Sequence, residues 1–529
     1  MQKKYLMAVD AGTGSVRAVI FDTSGNQIGC VSREWTHYED PRYPGSMDFD
    51  WVNNWNLARD CIRGVLAEAG IDSHDIAALS TTCMREGIVL YDAAGNEIWA
   101  CANVDSRSTG EVSELIRMNP ALEKEIYLKS GETYALGALP RLLWVKNKMP
   151  DVYEKTATVG MFNDWLIYKM TGVLAVEPSN GSTTGLFSLK TRKWAPEISR
   201  TCGLRDDIFP AVAECGSVAA SVSTAGAAAT GLAEGTPVVV GGGDAQLGCI
   251  GLNVVRPGQA AVLGGSFWQY ICNTADSAAD PNCRVRVNCH AIPGLWQYEA
   301  LAFQPGLIMR WYRDAFCQAE VREAAASGVD PYERMEQYAK EIPAGCHGMM
   351  CAFSDVMNFI SWKHAAPTFT NFAIDAEKFN RYTFYRAIME NAAAVTRGHL
   401  ELVKDATGNM PSEIVFAGGA AKSPLWCQIL SDTLGLPVKV PVVKEATALG
   451  AAILAGYGVG LYDEISGDGL IKWEKTFEPN AEHNQTYGEM YGKWREIYGV
   501  QLELCNRGLT KGLWTAPGLD CRKRIERAE

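Results

Sequence analysis

Two stretches far apart in the chain share one pattern of apolar and polar positions. An apolar run from Tyr5 to Val9 gives way to the polar, glycine-rich 10–15 and resumes from Val16 to Phe21. Gln259 to Leu263 leads in the same way into Gly264-Gly265-Ser266, and apolar residues return from Phe267 to Cys272. Short apolar runs broken by small residues predict strand, tight turn, strand. Two copies of that plan predict two related lobes that face each other.

Between and beyond these hairpins the period changes to that of helices. Leu57, Cys61, Ile62, Val65 and Leu66 fall on one face of a helix that stops at Gly70, and Ile76 to Ser80 reads as the next strand. Phe384 to Val403 predicts a long helix and Ile414 to Ala417 a strand ending at Gly418-Gly419. Ser423 and Pro424 suit the N-cap and first position of a helix that Gly435 ends. Alternating strands and helices predict an α/β fold. At 529 residues the chain exceeds what one hydrophobic core supports, so the boundary is placed near Val254–Pro257, giving lobes 1–255 and 256–529. The nearly uncharged run Thr236 to Val255 holds Asp244 and several glycines, which predicts a buried strand and turn, not a membrane helix. The apolar run behind Met1–Lys4 is too short for a signal-peptide core, and the charged tail from Arg522 to Glu529 is expected to lie in solvent.

Composition narrows the function. Hydrophobic residues make up 47% and charged ones 21%, as in ordinary globular proteins. A formal net charge of −12, and the lack of a basic helix-turn-helix arm, disfavour nucleic acid and anionic membrane as partners. The sixteen cysteines are scattered without a Cys-x-x-Cys pair, which predicts reduced, mostly buried thiols in a cytoplasmic enzyme.

The chemistry concentrates in the glycine turns. In Asp10-Ala-Gly-Thr-Gly-Ser-Val-Arg17, Gly12 and Gly14 let backbone N–H groups approach phosphate oxygens, Thr13 and Ser15 offer hydroxyl donors, and Arg17 a cation. Asp10, at the end of a buried strand, suits Mg²⁺ held through its waters. A dinucleotide fingerprint would need a third glycine where Arg17 stands, and no Gly-x-x-x-x-Gly-Lys-[Ser/Thr] occurs. Val238-Val-Val-Gly-Gly-Gly-Asp244 carries a second carboxylate out of a buried strand, where an acceptor hydroxyl can give up its proton during phosphoryl transfer.

Taken together, these motifs resemble the FGGY carbohydrate kinases. Asp10-x-Gly-Thr-x-Ser-x-Arg17 is similar to that family's first phosphate motif, and Leu139-Pro-Arg-Leu-Leu-Trp144 to a family signature, with Arg141 where lysine is usual. Asp164-Trp-Leu166, Met170-Thr-Gly172 and Ser179-Asn-Gly-Ser182 follow in order. Gly418-Gly-Ala-Ala-Lys-Ser423 resembles the adenosine motif, and Glu445-Ala-Thr-Ala-Leu-Gly450 the helix behind it. The resemblance implies two actin- and hexokinase-like (ribonuclease H-like) lobes with ATP in the cleft between them, and ATP and Mg²⁺ as cofactors. It implies that Asp244 is the catalytic base and shares the metal with Asp10. ATP would then lie against Gly12–Ser15, Arg17, Gly264, Gly265, Ser266, Gly418, Gly419, Ala420 and Ser423. Ser266 would take over a phosphate contact that threonine usually makes where Gly265 stands.

The acceptor would meet Arg85 and Glu86, which resemble the hydroxyl-binding pair of glycerol kinases, together with Asp244 and Gln246, mainly on the first lobe. Ala245 and Leu136 depart from the glycerol kinases and argue against glycerol. Phe267 and Trp268 are either acceptor contacts or core. Within the family, Met84-Arg-Glu-Gly-Ile-Val-Leu90, Ala261-Val-Leu-Gly-Gly-Ser-Phe-Trp-Gln269 and Leu513-Trp-Thr-Ala-Pro-Gly-Leu519 resemble bacterial autoinducer-2 kinases. That implies phosphorylation of the terminal hydroxyl of linear 4,5-dihydroxy-2,3-pentanedione in quorum-sensing signal processing. It also implies a phosphocarrier protein of the sugar phosphotransferase system as a partner. A kinase for another small ketose or polyol, or a sugar sensor that only binds, are the alternatives; intact Asp10 and Asp244 argue against the sensor.

Overall fold

The computed structural model describes residues 4–443 and 445–526, and side chains as far as Arg522. Two mixed sheets carry it. The first runs in the order Val218–Ser221, Pro237–Gly243, Ile76–Cys83, Tyr5–Ala11, Ser15–Asp22, Gln27–Glu34. The second runs Arg286–Cys289, Trp296–Ala302, Trp268–Thr274, Ala260–Gly264, Ile414–Ala417, Val438–Pro441, Trp473–Phe477. Each has a three-stranded antiparallel meander, then two strands parallel to the meander's central-edge strand, then one antiparallel strand. The duplication visible in the two glycine hairpins therefore extends through both sheets, the second adding Arg286–Cys289 at its edge.

The local signals act where they were read. Helix Trp51–Ala69 starts on Asp50, which accepts from Asn53 N (2.9 Å), and ends at Gly70 with φ 63°. Helix Arg381–Thr407 outruns its apolar pattern at both ends, because Asn380 caps it and Gly408 stops it with φ 72°. Ser423 caps Pro424–Leu434 through Trp426 N (3.1 Å), and Gly435 closes it. Three expectations are corrected. The run 236–255 is the strand Pro237–Gly243 followed by the helix Asp244–Gly251, not a strand and turn. Its glycines serve packing: a Cβ on Gly241 would lie 1.6 Å from Thr81 O. The strand Tyr5–Ala11 extends past Asp10, which therefore sits in the strand and not in the turn. Arg522 is not solvated but pairs with buried Glu123, in the helix Leu519–Glu526; residues 527–529 lie outside the described residues.

Two helices begin at the site and cross behind it. Asp244–Gly251 and Ala446–Gly458 approach so closely that a Cβ on Gly450 would fall 1.9 Å from Leu247 O, and one on Gly251 1.9 Å from Ala446 O. That contact explains the glycine ending Glu445-Ala-Thr-Ala-Leu-Gly450. Among the described residues no helix is long and apolar enough to cross a membrane. All sixteen cysteines are free thiols, buried except for the half-buried Cys30 and Cys521.

Candidate active site

Strand register assembles the first half of the site. Ala11 pairs with Cys83, and Cys83 with Gly243, so three neighbouring parallel strands end in one row. Asp10, Arg85-Glu86 and Asp244 leave from that row, the carboxyl-end position where open α/β sheets bind ligands. Glu86 holds φ 65°, a left-handed conformation uncommon for a residue with a Cβ. Arg141 fixes it there, donating to Glu86 O (2.5 Å) and also to Asn103 O (2.6 Å). Asp105 and Arg107 brace the rim: Arg107 Nε donates to Asp105 (2.8 Å), and its guanidinium lies over Trp144 (4.9 Å).

The second sheet supplies counter-charges. Arg85 Nη2 donates to Glu299 Oε1 (2.7 Å), Nη1 bonds the other oxygen, and Nε lies 3.2 Å from Asp244 Oδ1. Arg286 answers from the same sheet, 2.6 Å from Glu86 Oε1 and paired with Glu132. Burial lifts the Asp244 carboxyl above the usual range; Arg85 draws it down, and Glu86 and Glu299 push it further up. Burial would raise Glu299 too, but Arg85 outweighs it and holds the carboxyl low. Arg85, Glu86, Asp244 and Arg286 line a cavity of about 790 Å³, within the usual range for small-molecule sites.

The glycine turns form the other half. At the first hairpin tip, Trp35 Nε1 donates to Gly12 O (3.1 Å) and Thr13 O (3.0 Å), and Asn103 Nδ2 to Thr13 Oγ1 (3.0 Å). Gly14 opens to free space where a side chain would begin. Arg17 lies 3.4 Å from Asp10 and donates to Glu445 (2.5 Å), the residue before helix Ala446–Gly458. Burial lifts Asp10 to about 7; Arg17 opposes this, while Asp244 and Glu445 add to it. Across the cleft, Leu263 pairs with Ala417, so Gly264-Gly265-Ser266 and Gly418-Gly419-Ala420 lie side by side. Gly265, Ser266, Gly419, Ala420 and Ser423 line a cavity of about 410 Å³. Gly418 has φ 98°, and a Cβ there would sit 2.6 Å from Gly264 O.

Residues 5–251 match the N-terminal domain, and 273–459 the C-terminal domain, of the FGGY family of carbohydrate kinases. The chain belongs to the FGGY family of carbohydrate kinases. It is 51% identical over 524 residues to an autoinducer-2 kinase from Klebsiella pneumoniae, covering 98% of each chain. It is 51% identical over 520 residues to one from Escherichia coli K12, again covering 98% of each. Its fold is similar to that of a xylulose kinase from Rhodospirillum rubrum (TM-score 0.83, 22% identity, 95% of this chain and 99% of that one). It is also similar to that of a Plasmodium falciparum glycerol kinase solved with ADP (TM-score 0.81, 19% identity, 94% and 98%). The fold is thus the two-lobed, actin- and hexokinase-like one that the motifs implied.

Against that family frame, several expected contacts move. Gln246 is fully buried and does not line the cavity that holds Arg85 and Asp244. Two residues along a helix turn it about 200° away from Asp244, a phase hidden while 244–246 read as a turn. Trp268 is core: it is wholly buried, stacks on Trp426 (5.1 Å) and donates to Thr396 Oγ1 (2.8 Å). Phe267 instead lines the cavity and is half exposed. Most of the cavity's lining comes from the first lobe, and Phe267, Gln269, Arg286 and Trp514 complete it from beyond residue 260. Glu299, Arg286 and Glu132 escaped the motif reading, and Glu445 was read only as the start of a helix motif, without its bond to Arg17. The available signal was a charge at alternate positions of an apolar strand, as in Val285-Arg-Val-Asn-Cys289.

Proposed function

We propose that this kinase transfers the terminal phosphoryl group of ATP to the terminal hydroxyl of linear autoinducer-2, 4,5-dihydroxy-2,3-pentanedione, giving phospho-autoinducer-2. The observation that carries the chemistry is the row in which Asp10, Arg85-Glu86 and Asp244 leave three adjacent strand ends beside the glycine turns. The near full-length identity to kinases named for autoinducer-2 supports the acceptor.

In this reading Asp244 takes the proton of the acceptor hydroxyl as its oxygen attacks phosphorus. A carboxyl raised by its surroundings is a better base than a free one. Arg85, clamped by Glu299, holds Asp244 in place, and Glu86 receives a neighbouring hydroxyl of the acceptor. The turns at 12–15, 264–266 and 418–420 offer backbone N–H groups to the phosphates and adenosine, with Ser266 and Ser423 adding hydroxyls. Open space beyond Gly14 and Gly419, and a buried Asp10 with one guanidinium beside it, fit a magnesium-nucleotide. Asp10 and Asp244 would hold magnesium, which would supply positive charge to the phosphates. The lobes meet near residue 255, and the enzyme works in the cytoplasm, where ATP is available. Coupled measurement of ADP release with the pentanedione tests this reading; release no higher than without acceptor would reject it.

A further inference from the structure

The C-terminal segment lies across the acceptor cavity. Strand Gly512–Thr515 pairs antiparallel with Lys363–Ala365, placing Trp514 opposite His364. Ala516 N then donates to Trp362 O (2.9 Å). After Gly518 the chain passes to helix Thr109–Met118 in the N-terminal family domain, where a Cβ on Gly518 would lie 2.4 Å from Ile116 Cδ1. Arg522 Nε donates to Glu123 (2.9 Å), whose other oxygen accepts from Tyr134 N (2.8 Å). The segment is therefore fastened to both domains, and between its two fastenings Trp514, Ala516 and Pro517 line the cavity that holds Arg85 and Asp244.

That cavity has two chemistries. Its floor is charged, built from Arg85, Glu86, Asp244 and Arg286. Its wall is aromatic: Phe267 lies 6.2 Å from Phe303, and Phe303 5.7 Å from Trp514. A hydroxyl placed against such a wall loses its water partners without replacement, whereas an alkyl group gains by leaving water.

We propose that residues 512–522 form an acceptor-specificity strap. Its Trp514–Pro517 stretch selects acceptors with hydroxyls at the phosphorylated end and a bare alkyl group at the other, and the Arg522–Glu123 clasp positions it. The inference rests on the small hydroxylated acceptor assigned above and adds which end of it is recognised and by what.

The test uses a pair of acceptors that differ only at the remote end, 1-deoxyxylulose and xylulose, at saturating ATP with the full-length enzyme. Wild type should favour the deoxy sugar in kcat/KM by about tenfold or more, as expected for one alkyl group in an apolar pocket. Trp514→Gln, which replaces the indole with a smaller amide side chain, should bring the ratio close to one while leaving the KM for ATP unchanged. Arg522→Gln should raise the KM of the deoxy sugar with little change in kcat, and Arg522→Lys should restore it. No preference in wild type, or an unchanged ratio in folded Trp514→Gln, overturns the strap even if the pentanedione is phosphorylated. A preference for the deoxy sugar in an enzyme inactive on the pentanedione leaves the strap standing and rejects the assigned acceptor.

Discussion

In the proposed reaction, Asp244 and Arg85 are where single side chains decide the chemistry. Asp244→Asn is nearly isosteric but cannot take the proton, so kcat should fall by roughly 10²-fold or more. ATP affinity, read by equilibrium binding, should stay close to normal. Arg85→Ala strands Glu299, which has no exposure and relies on that guanidinium. It should cost about 2–5 kcal/mol in kcat/KM for the acceptor, as truncating one partner of a buried charged contact does. Measured KM for ATP should barely move. Asp244 and Arg85 were legible in the sequence because each sits in a contiguous phrase whose neighbours are constrained too. Glu299 and Arg286 were not, being single charged letters in alternating strands whose meaning appears only when Arg85 and Glu86 arrive from the other sheet.

Among the elements, the paired glycine turns make the most distinct prediction. Gly418 combines φ 98° with a backbone oxygen 2.6 Å from where a Cβ would be, so Gly418→Ala must shift the strand end or Gly264. About 1–3 kcal/mol of stability should be lost, as for other strained backbone positions, visible as a lower unfolding midpoint. Gly419 has open space instead, so Gly419→Ala should keep its midpoint and lose only nucleotide affinity. Equal effects of the two substitutions on stability would contradict this division. Element types were readable from caps: Ser423, Gly70 and Gly435 mark helix ends that the structure shares. The helix at Asp244 was not, because its apolar, glycine-rich letters carry no amphipathic period.

At the scale of the whole molecule, buried histidines tie stability to pH. Burial draws His290, His364 and His399 down to about 3. His399 Nε2 accepts from Met357 N (3.0 Å), which requires a neutral ring. Below the unfolded value of 6.5 the unfolded chain takes up protons that the native rings refuse. Stability from these groups is thus complete above pH 6.5 and falls as pH drops toward 3. At pH 5 each costs about 2 kcal/mol. Asp10 and Glu132, lifted by burial to about 7, act in the opposite direction over the same range. The clean readout is therefore a difference: His399→Gln, which keeps an acceptor for Met357 N, should lose less stability than wild type between pH 7 and pH 5. An equal loss in both would remove His399 from the account.

The duplicated sheet plan was legible from two hairpins because glycine turns between apolar runs are local signals. The acceptor cavity was not, since it is closed by Arg286 and Trp514 from elements remote in sequence. Its occupant is the central claim. The most direct measurement is kcat/KM at saturating ATP for the linear pentanedione beside glycerol and xylulose, following ADP and the phosphorylated product. The account predicts that the pentanedione is the best of the three by at least about tenfold, with phosphate on its terminal hydroxyl. Faster turnover of glycerol or xylulose, or phosphate on another oxygen, would contradict it.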